Sequence, residues 1–239
     1  MSGRTVGVIG GMGPAATLAF LARVQLLTPA TRDQDHLRLI VDCNPNVPDR
    51  NAAARGEGPS PGPVLAQMAR GLESAGAELL VMPCNTAHEF AGAITAASAL
   101  PFIDLIETAS AAAMAHAPRT VGLLAADGCL AAGLYQRTLA RRGVACLTCT
   151  PEAQATFMAL LYRIKAGDRG AAVRGAMRDL ALALVSRGAE VVLAGCTETP
   201  LVLAAEDIET PLVDSVDALA RRTVAVATDG ASSAGPSAD

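Results

Sequence analysis

The sequence predicts an α/β protein of two pseudo-symmetric domains, each a four-stranded parallel sheet flanked by helices, with the active site in the cleft between them if the two copies face each other. Two observations carry this prediction. Short β-branched runs alternate with longer Ala-, Leu- and Arg-rich stretches of helical period, the pattern of a parallel sheet covered by helices. The chain also repeats itself. Ser74-Ala75-Gly76-Ala77-Glu78, an apolar run and Cys84-Asn85-Thr86 return at constant spacing as Ser186-Arg187-Gly188-Ala189-Glu190, a second apolar run and Cys196-Thr197-Glu198. Thr5-Val6-Gly7-Val8-Ile9 likewise echoes Thr120-Val121-Gly122-Leu123-Leu124, and Pro101-Phe102-Ile103-Asp104 echoes Pro211-Leu212-Val213-Asp214. Matched anchors in one order mark two copies of one fold unit.

Strands are expected over 6–9, 37–41, 79–82 and 102–103 in the first copy, and over 121–124, 145–148, 191–194 and 212–213 in the second. Helices are expected over 15–27, 63–75, 108–115, 133–142, 154–165, 171–187 and 217–228. Pro14 suits a first helical turn, and Gly76, Gly143 and Gly188 fall where helices stop. The segment 43–62 holds four prolines and three glycines and reads as one long functional loop. The expected division is 1–105 plus a C-terminal helix, 211–228, for the first domain and 106–210 for the second. The remainder, 229–239, is rich in Ala, Ser and Gly and reads as a disordered tail.

Composition narrows the function. With 239 residues, 51% of them hydrophobic, the chain can bury one large or two small cores. A formal charge of −4 without a basic stripe argues against nucleic acid, and no uncharged apolar run reaches membrane-spanning length. A strand-like run begins directly after Arg4, leaving no room for a signal peptide. The cysteines, Cys43, Cys84, Cys129, Cys146, Cys149 and Cys196, are scattered rather than spaced as a disulfide scaffold. The expectation is a cytoplasmic protein with a small-molecule substrate. Cys146 and Cys149 form a C-x-x-C without a second pair, so they read as core and no metal site is expected.

In open parallel sheets, ligands bind beyond the carboxyl ends of the strands, where Gly10–Gly13, Asn44, Cys84, Asp127–Cys129 and Cys196 all fall. If the copies face each other, Cys84 and Cys196 meet across one cleft. Removing the α-proton of an amino acid without a cofactor requires a base on one face and a proton donor on the other. A thiol, ordinarily near pKa ~8.5, serves in either role. Asn85, Thr86 and Thr197 add carboxylate-binding donors beside the thiols. Lys165 is the only lysine in a chain that otherwise uses arginine, which marks it as a compact charge with a task. His88, four residues after Cys84, could tune that thiol or serve as a capping and packing residue.

Gly10-Gly11-Met12-Gly13-Pro14, Asn46-Val47-Pro48-Asp49-Arg50, Pro83-Cys84-Asn85-Thr86-Ala87-His88, Leu160 to Gly167 and Gly195-Cys196-Thr197-Glu198 resemble the aspartate/glutamate racemase family. The resemblance runs from about Arg4 to Ala225. It implies a racemase independent of pyridoxal phosphate, with no cofactor and two catalytic thiols, at Cys84 and Cys196. A homodimer is the expected assembly, the commonest one for such enzymes. Arg50 and Lys165 match the residues that hold the side-chain carboxylate of aspartate, and Met12, Gly13, Asn85, Thr86, Thr197 and Glu198 complete the expected substrate-binding set. Cys129 stands where the family usually places a threonine that contacts substrate, so a third thiol is expected near the cleft.

Other readings compete. Gly11-Met12-Gly13-Pro14-Ala15-Ala16 fits the dinucleotide fingerprint G-x-G-x-x-A, although Asp33, Asp35 and Asp42 are poorly placed for its acidic partner. A redox protein would need only that Cys84 and Cys196 bond reversibly. Hydantoin racemases, maleate isomerases and decarboxylases of the same superfamily also use such cysteines; Arg50 and Lys165 favour the amino-acid branch.

Overall fold

The computed structural model describes residues 3–229. The chain runs β1 (Val6–Gly10), α1 (Pro14–Leu27), β2 (Leu39–Cys43), α2 (Arg50–Ala54), α3 (Gly62–Ser74), β3 (Leu79–Val81), α4 (Ala91–Ala97) and β4 (Phe102–Ile103). It continues with α5 (Leu105–Met114), β5 (Thr120–Leu124), α6 (Asp127–Ala131), α7 (Leu134–Ala140), β6 (Ala145–Thr148), α8 (Pro151–Lys165), α9 (Ala171–Ser186), β7 (Val191–Ala194), β8 (Leu212–Asp214) and α10 (Ser215–Asp229). Two parallel four-stranded sheets result, ordered β2-β1-β3-β4 and β6-β5-β7-β8. Their registers repeat: Val6 pairs with Leu79 in the first, and its counterpart Val121 pairs with Val191 in the second.

Alternation along the strands gives each sheet two apolar faces. In the first half Val6, Val8, Leu79 and Val81 pack with α1 and α10, while Ile9, Leu80 and Met82 pack with α3 and Ile94 of α4. In the second half Val121, Leu123, Val191 and Leu193 face α5 and α7, while Leu124 and Val192 face α8 and α9. Gly7 in β1 and Gly122 in β5 leave room for the turns that follow α3 and α9. A Cβ on Gly7 would sit 2.9 Å from Ala77 Cβ, and one on Gly122 would sit 2.8 Å from Ala189 Cβ, its repeat counterpart.

Helix starts depart from the sequence reading where side chains cap them. Asp104 Oδ1 accepts from Glu107 N at 2.9 Å, so α5 opens earlier than expected. Thr150 Oγ1 accepts from Ala153 N at 3.3 Å, and Pro151 occupies the first turn of α8. The loop 43–62 contains α2, capped by Asp49 Oδ1 accepting from Ala52 N at 2.7 Å. The C-terminal assignment also needs correction. Residues 212–214 are a strand paired with β7 in the second sheet, and only the following helix, α10, joins the first half. Of the expected tail, 229–239, Asp229 ends α10 and 230–239 lie outside the described residues. Among the described residues no helix is long and apolar enough to cross a membrane.

Candidate active site

In each sheet the connections leave the two central strands in opposite directions, which opens a crevice at their carboxyl ends. The two crevices meet in one cavity of about 70 Å³, lined from the first half by Met12, Arg50, Cys84, Asn85 and Thr86 and from the second by Lys165, Cys196, Thr197 and Glu198. The repeat therefore brings its two cysteines to the same space. Each thiol follows a tight turn, with Cys84 N donating to Met82 O at 2.8 Å and Gly195 N donating to Leu193 O at 3.0 Å. Both cysteines are 6% exposed.

The two thiols sit in unequal fields. Burial raises the Cys84 thiol above its ordinary value; Arg50 pulls it back, and the opposing charges of Glu198 and Lys165 act on it from the other half. Burial pushes Cys196 well above its ordinary value, and the adjacent Glu198 carboxylate adds to the rise. Cys196 Sγ donates to Glu198 Oε2 at 3.2 Å. The other carboxylate oxygen pairs with Lys165 Nζ. Burial opposes the Lys165 charge, but Glu198 holds its ammonium above the ordinary lysine value.

Arg50 opens α2, and its Nη1 donates to Val47 O and Pro48 O, both at 3.0 Å. These carbonyls hold the guanidinium at the cavity, and it makes no ion pair among the described residues. Arg50, Lys165 and Glu198 also border a second hollow of about 210 Å³, which Gly13 lines at the N-terminus of α1.

One expectation changes, and of the two readings of His88 the structure has the capping and packing one. Cys129 lines neither space; it is fully buried in the second-half core among Tyr135, Leu139 and Val213, and burial pushes its thiol far up. A helix begins at Asp127 and carries the Cys129 side chain into that core. His88 engages the Cys84 backbone. Its Nδ1 donates to Cys84 O at 2.8 Å, and its Nε2 accepts from Leu105 N at 3.0 Å. This pair requires the neutral ring, and burial pushes the imidazole pKa down. His88 thus caps α5 and braces the turn that carries Cys84.

Sequence reasoning misses Asn51, which opens an Ala- and Gly-rich stretch that carries no other signal. Asn51 is buried, and its Oδ1 accepts from Gly128 N of the other half at 3.0 Å. The glycine-rich turn is filled by the chain's own backbone. Gly11 has φ +93°, and a Cβ there would lie 2.4 Å from Asn44 C. Its N–H donates to Thr17 Oγ1 at 2.9 Å, which leaves the dinucleotide reading without its phosphate cradle.

This arrangement is the fold of the amino-acid racemases. The solved aspartate racemase of Picrophilus torridus superposes with a TM-score of 0.81 at 27% identity, covering 96% of this chain and 95% of that one. A glutamate racemase of Francisella tularensis in complex with D-glutamate shares the fold at 15% identity, with a TM-score of 0.70 over 97% of this chain and 83% of that one. The broad specificity amino-acid racemase RacX of Bacillus subtilis is 25% identical over 225 residues, 92% of this chain and 96% of that protein. Residues 9–223 match the Asp/Glu/Hydantoin racemase family, and the chain belongs to it. It is an isomerase of the amino-acid racemase type.

Proposed function

We propose that the protein racemises an acidic amino acid, aspartate or glutamate, without a cofactor, by α-proton transfer between Cys84 and Cys196. The observation that supports this most is the shared cavity, where thiols from repeat-equivalent strand ends meet with Arg50 and Lys165. One cysteine, as thiolate, takes the α-proton from one face of the substrate. The other, as thiol, gives its proton to the opposite face, so the configuration inverts and the two cysteines exchange protonation states. Arg50 favours Cys84 as the resting base, and Glu198, which accepts from Cys196 Sγ, favours the thiol form of Cys196.

The charges at the cavity suit a dicarboxylic amino acid. Arg50 and Lys165 answer two carboxylates, and the buried Glu198 answers one ammonium. Lys165, the chain's only lysine, is held protonated by Glu198 and is therefore a poor amine nucleophile for a Schiff base. The test is α-proton exchange in heavy water, followed by NMR for aspartate, glutamate, alanine and serine. Exchange and racemisation of the acidic pair, with far slower turnover of the neutral pair, is the expected result. Faster turnover of alanine or serine would overturn the acidic assignment and move the reading toward the broad specificity named for the Bacillus relative.

A further inference from the structure

One side chain outside the cavity touches the supports of both cysteines. Tyr135, on α7 of the second half, is fully buried. Its hydroxyl donates to Oδ1 of Asn85, the neighbour of Cys84 in the first half. Its ring lies against the backbone just before Cys196, where a Cβ on Gly195 would sit 3.0 Å from Tyr135 Cε2. The same Asn85 donates through Nδ2 to Ser215 Oγ at 3.2 Å, so its amide is held at both ends. Asn85 is only 2% exposed yet lines the cavity.

We propose that Tyr135 is a positioning residue that sets the separation of the two thiols, gripping the Cys84 turn through Asn85 while its ring backs the Cys196 turn at Gly195. The inference rests on the two-cysteine reading above and adds a part to it. With Oδ1 taken by the Tyr135 hydroxyl and one Nδ2 hydrogen by Ser215 Oγ, the second Nδ2 hydrogen is left to donate toward a substrate carboxylate. Burial keeps the phenol protonated far above neutral pH, so the donor persists across the working range. Gly195 lets the ring come this close, since a side chain there would press on Leu123 Cδ1, 2.6 Å from its Cβ, and then on the Tyr135 ring.

Tyr135→Phe keeps the ring and removes the hydroxyl, leaving Asn85 Oδ1 buried without its donor. The expected loss is roughly tenfold in kcat/KM, carried mainly by kcat, with cooperative unfolding retained. In an Asn85→Ala background the same substitution should cost severalfold less, because the hydroxyl then keeps only its contact with Ser215. A merely structural tyrosine would give equal losses in both backgrounds, and that result overturns the proposal. Iodoacetamide labelling of Cys84 and Cys196, read by mass spectrometry, supplies a measurement independent of turnover. Tyr135→Phe should change the ratio of the two labelling rates severalfold, and Ser215→Ala, which cuts the other tether, should alter it as well. An unchanged ratio in both variants overturns the positioning role. If the wild type exchanges no α-proton, the racemase mechanism falls while the labelling ratio still decides whether Tyr135 sets the thiols.

Discussion

Lys165→Met would separate the structural and chemical roles of the cation at the cavity. The substitution keeps most of the aliphatic stem and leaves Glu198 with a side chain only 5% exposed and no ammonium partner. Breaking a fully buried pair costs about 3–5 kcal/mol. The Lys165 side chain retains 29% exposure, so water already screens part of the attraction. The lower range, about 2–3 kcal/mol, is therefore expected. For a chain of this length that is a fall in Tm of roughly 5–10 °C by calorimetry. Adding Glu198→Gln removes the stranded charge and should return most of the stability. Turnover should not return with it. A second substrate carboxylate still lacks its cation, and kcat/KM for aspartate should stay down about a hundredfold in both the single and the double variant. An unaltered Tm in Lys165→Met, or a double variant less stable than the single, would refute the buried-pair argument. A double variant that regains aspartate turnover would refute the substrate role.

Cys84→Ser and Cys196→Ser should each abolish racemisation, since a hydroxyl is far less acidic than a thiol; full racemisation by either variant, measured by chiral chromatography, would remove the two-base mechanism. Glu198→Gln should lower the Cys196 pKa by removing the adjacent negative charge, so more of that thiol ionises and Cys196 should alkylate severalfold faster at fixed pH; an unchanged rate would contradict the field assigned to Glu198. Asp214 is pushed up to about 6 from 3.8 by burial, so the folded protein binds that proton more tightly than the unfolded chain. Its contribution to stability is present below the unfolded value and is lost as pH rises toward 6, the reverse of a salt-bridged carboxylate. Asp214→Asn, which keeps an oxygen to accept from Val216 N, should flatten the dependence of unfolding free energy on pH across that window and raise stability at neutral pH; an unchanged slope in denaturant titrations would contradict the role given to this half-buried carboxyl.

The strands are legible in the sequence because their apolar runs are short, bounded and duplicated; β5, β6 and β7 fall almost where the alternation puts them. The cavity is legible because the repeat ends on the same thiol twice. The rest depends on contacts between segments far apart in the chain. α2 is hidden by the prolines around it, although Asp49 followed by an alanine run is a cap signal. Asn51 has no local mark at all, since its partner is Gly128 of the other half. Position along the chain alone puts Cys129 at the cleft, whereas the first turn of α6 decides which way its side chain points. Tyr135 carries no signal either, because neither Asn85 nor Gly195 is near it in sequence.

The placement of α5 and α10 governs how the cleft can move. β4 belongs to the first sheet, yet Ile106, Ala109 and Ala113 of the helix that follows it sit in the second core. β8 belongs to the second sheet, yet Val216, Leu219, Ala220 and Val224 of its helix sit in the first. The chain thus crosses between halves twice, at equivalent points, and the two crossing helices pack on each other. Together they form an axle with a strap on each side. A sliding or splaying of the halves would uncover both cores at once, whereas a rotation about this axle would keep each crossing helix on the core it covers. Severing the chain between Asp104 and Leu105 would leave the second sheet with both its helical walls but strip the first of α10, which ties the integrity of the first half to the C-terminal end of the second.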